Sequence, residues 1–545
     1  MSAEGTGGTV SITGQMVLDG ASSVFKACSG TCASPSGTGL TIAASNANNT
    51  VGATTVATGP AVTVNRGQIS GTMIFKTIKT SGGANAIVLS NTGSGAFSVT
   101  GTGAAGSGGT ITGATGDAIS LTSTGGLISF TEMSITNSGG SHINATNVNA
   151  GLSLTNVNTT NSTNHGILGS TVHNLTISGG TFDQGGAGSG VSGKHGIFIT
   201  NLLGTSSVSN CTIKRSNTIQ FFVTNNTATT AQPSASTDIL TLSHVTFTTH
   251  TSAFAGDNFS ILADSGSNMK LITNNTGGIN SADSGGNLIN FQASNGGKVD
   301  GSMTALKATA TTAGVNVAAS NSGIVVFDVF GNKTSTVPST GFSGTGASAL
   351  NLACINATCT GHFRDNTITH TAPANVDALS AVLEGSGTAT IDISSNVISG
   401  SFSRGIFAQA RLGTGTMNAN IASNNVTQTD ATGLQVIRVE NGASCTGACT
   451  QSNSICLNMH NNTATAAGAN NAYQLRNRGA SSNCPSCVFQ LQGFTTNGSC
   501  PTASGSSVSD IQCYVTNTKT NGGTPIGVTI DTAFTNNAGS CPTAP

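Results

Sequence analysis

The charged residues near the carboxyl-terminal end of the chain have the types and spacing that most suggest chemistry. Four successive repeats align on Ala378, Gly405, Gly433 and Ala472. Charged residues recur about six positions after these points, and we name the set the charged stripe: Glu384, Arg411, Arg438, Glu440, Arg476 and Arg478. Because Arg can donate two parallel hydrogen bonds to a carboxylate, one interpretation is a groove that binds a glycan or a partner's carboxylate. The other is a surface ladder of mixed charges.

Cleavage of a polysaccharide would need carboxylates that act together. Hydrolysis uses a pair of them, and lysis uses a base together with a cation that neutralises the uronate. The chain has 19 Asp and Glu residues, which are scattered without an Asp-Asp pair or an Asp-x-Asp cluster. The sequence therefore predicts no catalytic residues, no metal site and no cofactor, and it leaves a carbohydrate-active enzyme as an alternative.

Two histidines occupy one position of the repeat, directly before a Gly-Ile pair. They are His165 and His195, and the same position holds Asp117, Asp377 and Arg404 in other repeats. A position that accepts such different polar residues is typical of a turn. We interpret the histidines as stacked turn residues, with a metal-binding or acid–base pair as the alternative.

The 13 cysteines favour an oxidising compartment. Eight form close pairs in the sequence, which are Cys28 and Cys32, Cys354 and Cys359, Cys445 and Cys449, and Cys484 and Cys487. Short disulfides that close loops are the favoured interpretation, since zinc would need converging pairs of ligands and a redox site a thioredoxin-like context. The pairing of Cys456, Cys500, Cys513 and Cys541 stays open. Cys211 is expected to be a buried free thiol.

The composition excludes several classes of function. Only 7% of the residues are charged and the formal net charge is −1, which offers no basic surface for nucleic acid. No apolar run approaches the roughly 20 residues that span a bilayer, so no membrane insertion is expected. No secretory signal follows Met1. We therefore expect an internal fragment of a secreted or surface protein, with the signal in the parent chain.

An internal repeat of about 30 residues predicts the fold. Its first motif begins and ends on an apolar residue, with small residues or Asn between, as at residues 208–213 and 363–368. A second motif, such as residues 195–199, places a turn residue before alternating apolar residues. Stacked coils would pair such strands around one core. We predict an all-β, right-handed parallel β-helix of about 18 coils, with disulfide-closed loops, left-handed bends and stacked Asn residues.

Three segments are expected along the chain. Residues 1–90 form amino-terminal coils of weaker register, and residues 91–495 form the regular β-helix body. Residues 496–545 form a final coil and a cysteine-rich cap, which would cover strand edges that are otherwise open to pairing.

The alternation of His-Gly-Ile-Phe-Ile at 195–199 with Val-Ser-Asn-Cys-Thr-Ile at 208–213 resembles the repeats of the pectin-lyase-like superfamily. The resemblance covers nearly the whole chain. It implies the fold of a superfamily that includes polysaccharide lyases and hydrolases, phage tailspikes and passenger domains of bacterial adhesins. The Thr-, Ser-, Asn- and Gly-rich composition is most similar to the last group. Because the carboxylates are scattered, we expect a non-enzymatic structural or adhesive segment of a larger bacterial surface or secreted protein. A polysaccharide lyase or hydrolase and a tailspike-like phage fibre are the alternatives. A glycan, a surface protein or a second copy of the chain is the expected partner.

Overall fold

The chain divides into two compact units, one of residues 1–225 with 233–260 and one of residues 226–232 with 261–545. The computed structural model describes residues 1–545 except 21–23, 54–55, 187–191, 228–237, 249, 251–255, 275–276, 282–284, 310–312, 334–340, 344–346, 372–375, 445–450, 468–471, 479–483, 485, 495–507, 517–527, 532–534 and 538–539. Each unit is a stack of coils. Most coils contribute up to three strands, which pair in parallel with the equivalent strands of the neighbouring coils, and the coil that begins at Val62 is divided into five shorter strands.

The strands of the first unit form three series, one for each side of the coil. The first series comprises Ser2–Gly5, Phe25–Ser29, Val62–Asn65, Ile87–Gly93, Ile119–Thr124, Ile143–Val148, Ile167–His173, Ile197–Leu203 and Phe221–Asn225. The second comprises Gly8–Ile12, Leu40–Ala44, Gln68–Ile69, Thr72–Phe75, Ala96–Val99, Ile128–Thr131, Leu152–Thr155, Leu175–Ser178, Thr205–Ser209 and Ile239–Ser243. The third comprises Val17–Leu18, Thr50–Val51, Thr77–Ile78, Thr80–Ser81, Gly109–Thr112, Met133–Ser138, Asn158–Ser162, Thr181–Asp183, Thr212–Lys214 and Val245–Thr248.

The second unit repeats this arrangement, and two long strands run through both its first and its second series. Its first series comprises Phe259–Ala263, Asn287–Ser294, Ala313–Ser320, Leu350–Arg364, Leu379–Ser394, Ile406–Arg411, Ile437–Asn441, Tyr473–Asn477 and Val528–Asp531. Its second series adds Asn268–Thr273, Lys298–Met303, Ile324–Phe330, Thr416–Ala422, Ser454–His460, Val488–Gln492 and Thr535–Asn537. Its third comprises Ile279–Ser281, Lys307–Thr309, Gly341–Ser343, Thr367–His370, Val397–Gly400, Asn425–Gln428 and Thr463–Thr465, and a short helix spans Val508–Tyr514.

The number of coils follows from the first series, which has eighteen strands among the described residues. The all-β fold, the parallel stacking and the predicted number of about 18 coils are therefore confirmed. Phe259–Ala263 is counted here with the second unit, although its first two residues belong to the first.

The core of each unit consists of inward-facing apolar columns. In the first unit, Ile143 pairs with Ile119 on one side and with Ile167 on the other. Ile167 pairs in turn with Ile197, and all of these side chains are fully buried. Burial of each such side chain stabilises the fold by about 1.5–3 kcal/mol. The period-two alternation of the sequence thus becomes a continuous core only when the coils stack.

The third residue of the first motif has a left-handed backbone conformation, as predicted. Its φ is 53° at Asn210, 61° at Asp365 and 56° at Ser395. Asn and Asp tolerate this region because their short side chains can form local hydrogen bonds. The bend ends the strand of the second series and directs the chain into the third.

The fourth residue of the motif is Asn in consecutive coils of the second unit. The members are Asn332, Asn366, Asn396, Asn424 and Asn462, and all are buried. The Nδ2 of Asn396 donates to the main-chain oxygen of Phe363 at 2.8 Å and to Oδ1 of Asn424 at 3.0 Å. Its own Oδ1 accepts from the main-chain nitrogen of Asn366 at 3.1 Å. The predicted stacking of Asn residues is confirmed by this ladder.

Disulfide bonds join three of the close cysteine pairs. They are Cys28–Cys32, Cys354–Cys359 and Cys484–Cys487. The remaining predicted pair, Cys445 and Cys449, lies outside the described residues, as does Cys500.

The other cysteines differ in their roles. Cys456 is bonded to Cys541, 85 residues further along the chain, and Cys513 is also disulfide-bonded. Cys211 is a buried free thiol, as the sequence predicts, and burial raises its pKa to about 12. A thiol with such a pKa stays protonated at neutral pH and behaves as a small apolar side chain.

Candidate functional site

The charged stripe lies on the outward side of the first strand series in the second unit. Glu384 lies opposite Arg411 in the strand register, and the two side chains form an ion pair of 2.9 Å. Glu440 binds the guanidinium groups of both Arg438 and Arg478. The structure thus brings these residues together as pairs of opposite charge.

The alignment of this stripe on Gly433 is wrong by three residues. The main-chain nitrogen of Gly405 donates to the main-chain oxygen of Val436, and not to a group of Gly433. The displacement arises because the chain forms an additional turn before the strand Ile437–Asn441. In that turn Oδ1 of Asp430 accepts hydrogen bonds from the main-chain nitrogen and the hydroxyl of Thr432.

The corrected register changes the neighbours of two stripe residues. Because Ala410 pairs with Asn441, the position opposite Arg411 belongs to Gly442. Arg438 therefore lies four positions before Gly442 on its strand, and Glu440 lies two positions before it. The alignment on Gly433 had placed both residues directly beside the column of Arg411. Glu440 lies opposite Arg476 on the next coil, so the stripe covers three adjacent outward columns.

Burial limits what the charged stripe can bind. The side chain of Glu440 is 2% exposed and that of Arg438 is 12% exposed. Burial lowers the pKa of Arg438, and the attraction of Glu440 opposes this effect. Removing one partner of a buried ion pair is costly because it leaves an uncompensated charge. The Glu440 cluster is therefore a structural network, whereas the ion pair of Glu384 and Arg411 is more exposed to solvent.

A further ion pair lies at the turn that precedes the first-series strands. Arg404 donates two hydrogen bonds to Asp377, of 2.7 and 2.8 Å. Its guanidinium also lies 3.5 Å from the ring centroid of Phe407, a cation–π contact. Burial raises the pKa of Asp377, and the hydrogen bonds from Arg404 oppose this rise. The turn position that carries His in the first unit thus carries an ion pair in the second.

His165 and His195 act as hydrogen-bond acceptors between coils. The Nδ1 of His165 accepts from the main-chain nitrogen of His195 at 3.0 Å, and the Nδ1 of His195 accepts from that of Ile219 at 3.1 Å. The rings stack with centroids 5.4 Å apart. Burial lowers the pKa of His165 to about 3 and that of His195 to about 4. Both rings are therefore neutral at pH 7, which suits the interpretation as stacked turn residues.

A second group of polar side chains lies on the outward side of the second strand series, and the sequence analysis missed it. These residues occupy one column on successive coils, which we name the polar column: Asp328, His362, Asp392, Asn420 and Asn458. Each comes directly before a copy of the first motif. A search along the chain for adjacent carboxylates could not find them, because neighbours in a β-helix are one coil apart.

Ion pairs connect the members of the polar column. Arg364 donates two hydrogen bonds to Asp328, of 3.0 and 2.6 Å. The Nδ1 of His362 lies 3.1 Å from Oδ2 of Asp392. This hydrogen bond is the largest cause that raises the pKa of His362. Burial raises the pKa of Asp392, but hydrogen bonds from His362, Ser394 and other donors outweigh it, so the pKa of Asp392 is lowered.

A shallow depression, with a volume of about 360 Å³, borders the polar column. We name it the polar depression. Its lining includes the carboxylates of Asp300 and Asp328, the hydroxyls of Ser302 and Thr360, and Pro545. Such a lining offers several hydrogen-bond acceptors, so it suits a hydroxylated or polar ligand.

Comparisons with known proteins leave the chain without a family. No protein-family model matches it, no curated protein is similar to it, and no solved structure matches it. The resemblance to the pectin-lyase-like repeats is therefore supported only at the level of a parallel β-solenoid. Within the described residues, no helix is long and apolar enough to cross a membrane. Nor do those residues contain a group of three or more His, Cys, Asp or Glu that could bind a metal ion.

Proposed function

We propose that this chain is a non-enzymatic structural and adhesive segment of an extracellular protein, on a bacterial surface or secreted. The observation that carries the proposal is that polar side chains of the described residues connect one coil to the next through hydrogen-bond ladders and ion pairs. The Asn396 ladder, the pair of Asp377 and Arg404, and the pair of Glu384 and Arg411 are examples. The disulfides are consistent with an oxidising compartment.

The adhesive part of the proposal rests on a neutral surface of the first unit. Two outward columns of the second strand series carry hydroxyl groups on successive coils, and we name this surface the hydroxyl face. One column comprises Ser98, Ser129, Ser153, Thr176, Ser207 and Thr241, and the other comprises Thr131, Thr155, Ser178, Ser209 and Ser243. A regular array of hydroxyl donors and acceptors without charge is complementary to a neutral glycan.

Retention on immobilised neutral polysaccharides tests this function. We expect retention without release of reducing ends. The double variant Ser153→Arg/Ser207→Arg should weaken retention at least about tenfold, the equivalent of roughly 1.4 kcal/mol. A matched control, Ser134→Arg/Thr212→Arg, places the same charges on the outward side of the third series. Equal retention of both variants, or no retention of the unmodified protein, would contradict adhesion through the hydroxyl face.

A carbohydrate-active enzyme is the second candidate, and the polar depression is the observation that favours it. Asp300, Asp328 and His362 line that depression from separate coils. His362 also contacts Asp392 on a further coil. Incubation with a polysaccharide panel should then yield reducing ends or unsaturated uronates. His362→Gln and Asp392→Asn should abolish that activity, whereas Glu384→Ala, in the charged stripe, should not. Absence of products on every polysaccharide would remove this candidate.

A further inference from the structure

Residues 540–545 cross the outward side of the second strand series in the second unit, and we name this segment the strap. At one end, Cys541 is bonded to Cys456, and its main-chain nitrogen donates to Oε1 of Gln492 at 2.7 Å. At the other end, the main-chain oxygen of Pro545 lies 2.9 Å from Nε2 of His362. The strap is therefore attached at two points, one covalent and one through a histidine.

The two attachment points require an extended strap. His362 and the coil of Cys456 are separated by three coil steps, about 14 Å at roughly 4.8 Å for each step. The chain from Cys541 to Pro545 spans at most about 14 Å when fully extended. The strap consequently has little slack. The side chain of Asn418, on a coil between those of His362 and Cys456, is buried although it faces outward.

His362 meets a hydrogen-bond acceptor on each side. Its Nδ1 faces the carboxylate of Asp392 and its Nε2 faces the main-chain oxygen of Pro545. Neither oxygen can donate a proton when Asp392 is ionised, so each contact needs an N–H from the ring. A neutral imidazole has one N–H and an imidazolium has two. The observed arrangement is therefore satisfied only by the protonated ring.

The charged groups around His362 favour that protonated form. Asp392 lies on the next coil and Asp328 on the preceding one, and both raise the pKa of His362. Arg364, on the same strand, is bound by Asp328, which compensates its charge. Asp300 lies on a more distant part of the same depression. Two carboxylates thus act on the ring, and the guanidinium on its own strand is compensated.

We propose that the strap is a pH-controlled cover on one side of the polar depression, docked while His362 is protonated and released from the Pro545 contact when His362 loses its proton to solvent. Pro545 forms part of the lining of the depression, so lifting the strap opens that side. The disulfide to Cys456 keeps the other end attached. The inference goes beyond the proposed function and does not depend on it.

The direction of the pH effect follows from the histidine. The folded-state pKa of His362 is raised above the ordinary value of 6.5. The contribution of the docked strap is therefore fully present below pH 6.5 and is lost as the pH rises through the raised value. The strap is docked on the acidic side and lifted on the alkaline side.

Fluorescence anisotropy of the strap tests the proposal. A fluorescent unnatural amino acid at Thr543, which is exposed, reports the mobility of the segment between about pH 5 and about pH 9. We expect anisotropy to fall in one step with a midpoint above 6.5. His362→Gln should abolish the step, because its amide does not change protonation in this range. Asp392→Asn should move the midpoint to lower pH, because the carboxylate that favours the imidazolium is removed.

Two controls separate this device from a general effect of pH. His460→Gln changes another histidine of the same strand series and should leave the step unchanged. Cys456→Ser/Cys541→Ser should lower the anisotropy of the lifted state further, since the tether is lost. Circular dichroism establishes that each variant is folded. A step that persists in His362→Gln, an unchanged midpoint in Asp392→Asn, or a flat profile of the unmodified protein would each overturn the proposal.

Discussion

The outward sides of the second strand series differ between the two units. In the first unit this side is the hydroxyl face, where residues such as Ser129 and Ser153 lie opposite each other on successive coils. In the second unit the equivalent side carries Asp328, His362 and Asp392. Hydroxyl groups can be repeated from coil to coil without repulsion, whereas identical charges directly opposite each other destabilise a sheet.

The comparison shows how one fold accommodates two kinds of surface. Along the polar column of the second unit, charged outward residues contact a residue of opposite charge on a neighbouring coil, as in the pairs Asp328–Arg364 and His362–Asp392. Each residue of such a pair depends on its partner to compensate its charge, whereas an outward hydroxyl contributes little to the stability of its neighbours. Substitutions should therefore be costly in the ionic region and tolerated on the hydroxyl face.

The largest effect is expected from Glu440→Ala in the charged stripe. The change leaves the buried guanidinium of Arg438 without its carboxylate, and breaking such a pair costs about 3–5 kcal/mol. The matched control is Glu384→Ala, whose ion pair is exposed and contributes roughly 0–1 kcal/mol. Urea denaturation of the full chain measures the loss of unfolding free energy in each variant. Similar losses for the two variants would show that burial does not distinguish them.

A smaller loss of stability is expected in the first unit when the pH is lowered. The folded-state pKa values of His165 and His195 are lowered to about 3 and about 4, so the unfolded chain binds protons first as the pH falls below 6.5. The free energy of unfolding should decrease from about pH 6.5 and level off near pH 3. The loss is on the order of 3 kcal/mol for His195.

Thermal melting near pH 7 and near pH 4 measures this loss. His195→Gln should reduce the difference between the two conditions, because the side chain no longer binds a proton. His460→Gln, in the second unit, should leave the difference unchanged. A decrease of equal size in His195→Gln and in the unmodified protein would assign the acid sensitivity to other groups.

A substitution in the buried ladder of Asn residues should lower the free energy of unfolding by a moderate amount. Asn396→Ala removes hydrogen bonds to Phe363 and Asn424 and leaves buried partners unsatisfied, which costs about 1–3 kcal/mol. Asn351→Ala is the matched control in a partly exposed ladder, where Nδ2 of Asn351 donates to Asn316 at 2.7 Å. We expect chemical denaturation to give a smaller loss for Asn351→Ala. A larger loss for Asn351→Ala than for Asn396→Ala would mean that solvent does not replace the hydrogen bonds lost at the partly exposed Asn351.

The smallest effect is expected on the hydroxyl face. Ser153→Ala removes an outward hydroxyl without creating a buried cavity, so the free energy of unfolding should change by less than about 0.5 kcal/mol. The same denaturation experiment measures it. A loss above about 1 kcal/mol would show that the hydroxyls stabilise one another, and the contrast between the two faces would then disappear.

The repeat-based features could be predicted because they obey local backbone rules. The bend at Asn210 and the ladder through Asn396 follow from the preferences of Asn for left-handed backbone and for stacking on itself. The predicted register was wrong where a loop contains additional residues, as before Ile437. A single sequence gives no signal for how many turn residues precede a strand.

The polar column could have been found by comparing the residue before each copy of the first motif, since His362 and Asp392 both occupy that position. The strap could not have been found in this way. The contact of His362 with Pro545 joins residues 183 positions apart, whereas the repeat predicts contacts only between neighbouring coils. Cys541 was recognised as a candidate for pairing, but nothing in its spacing indicated Cys456.

The register of the coils also has an evolutionary consequence. Ile119, Ile143 and Ile167 succeed one another in one column, so deletion of residues 143–166 would bring Ile167 into the place of Ile143. Every strand of the removed coil has an equivalent in the coil that replaces it. Gain or loss of a whole coil can therefore change the length of the protein in one genetic step, whereas a shift by one residue would turn the core side chains outward.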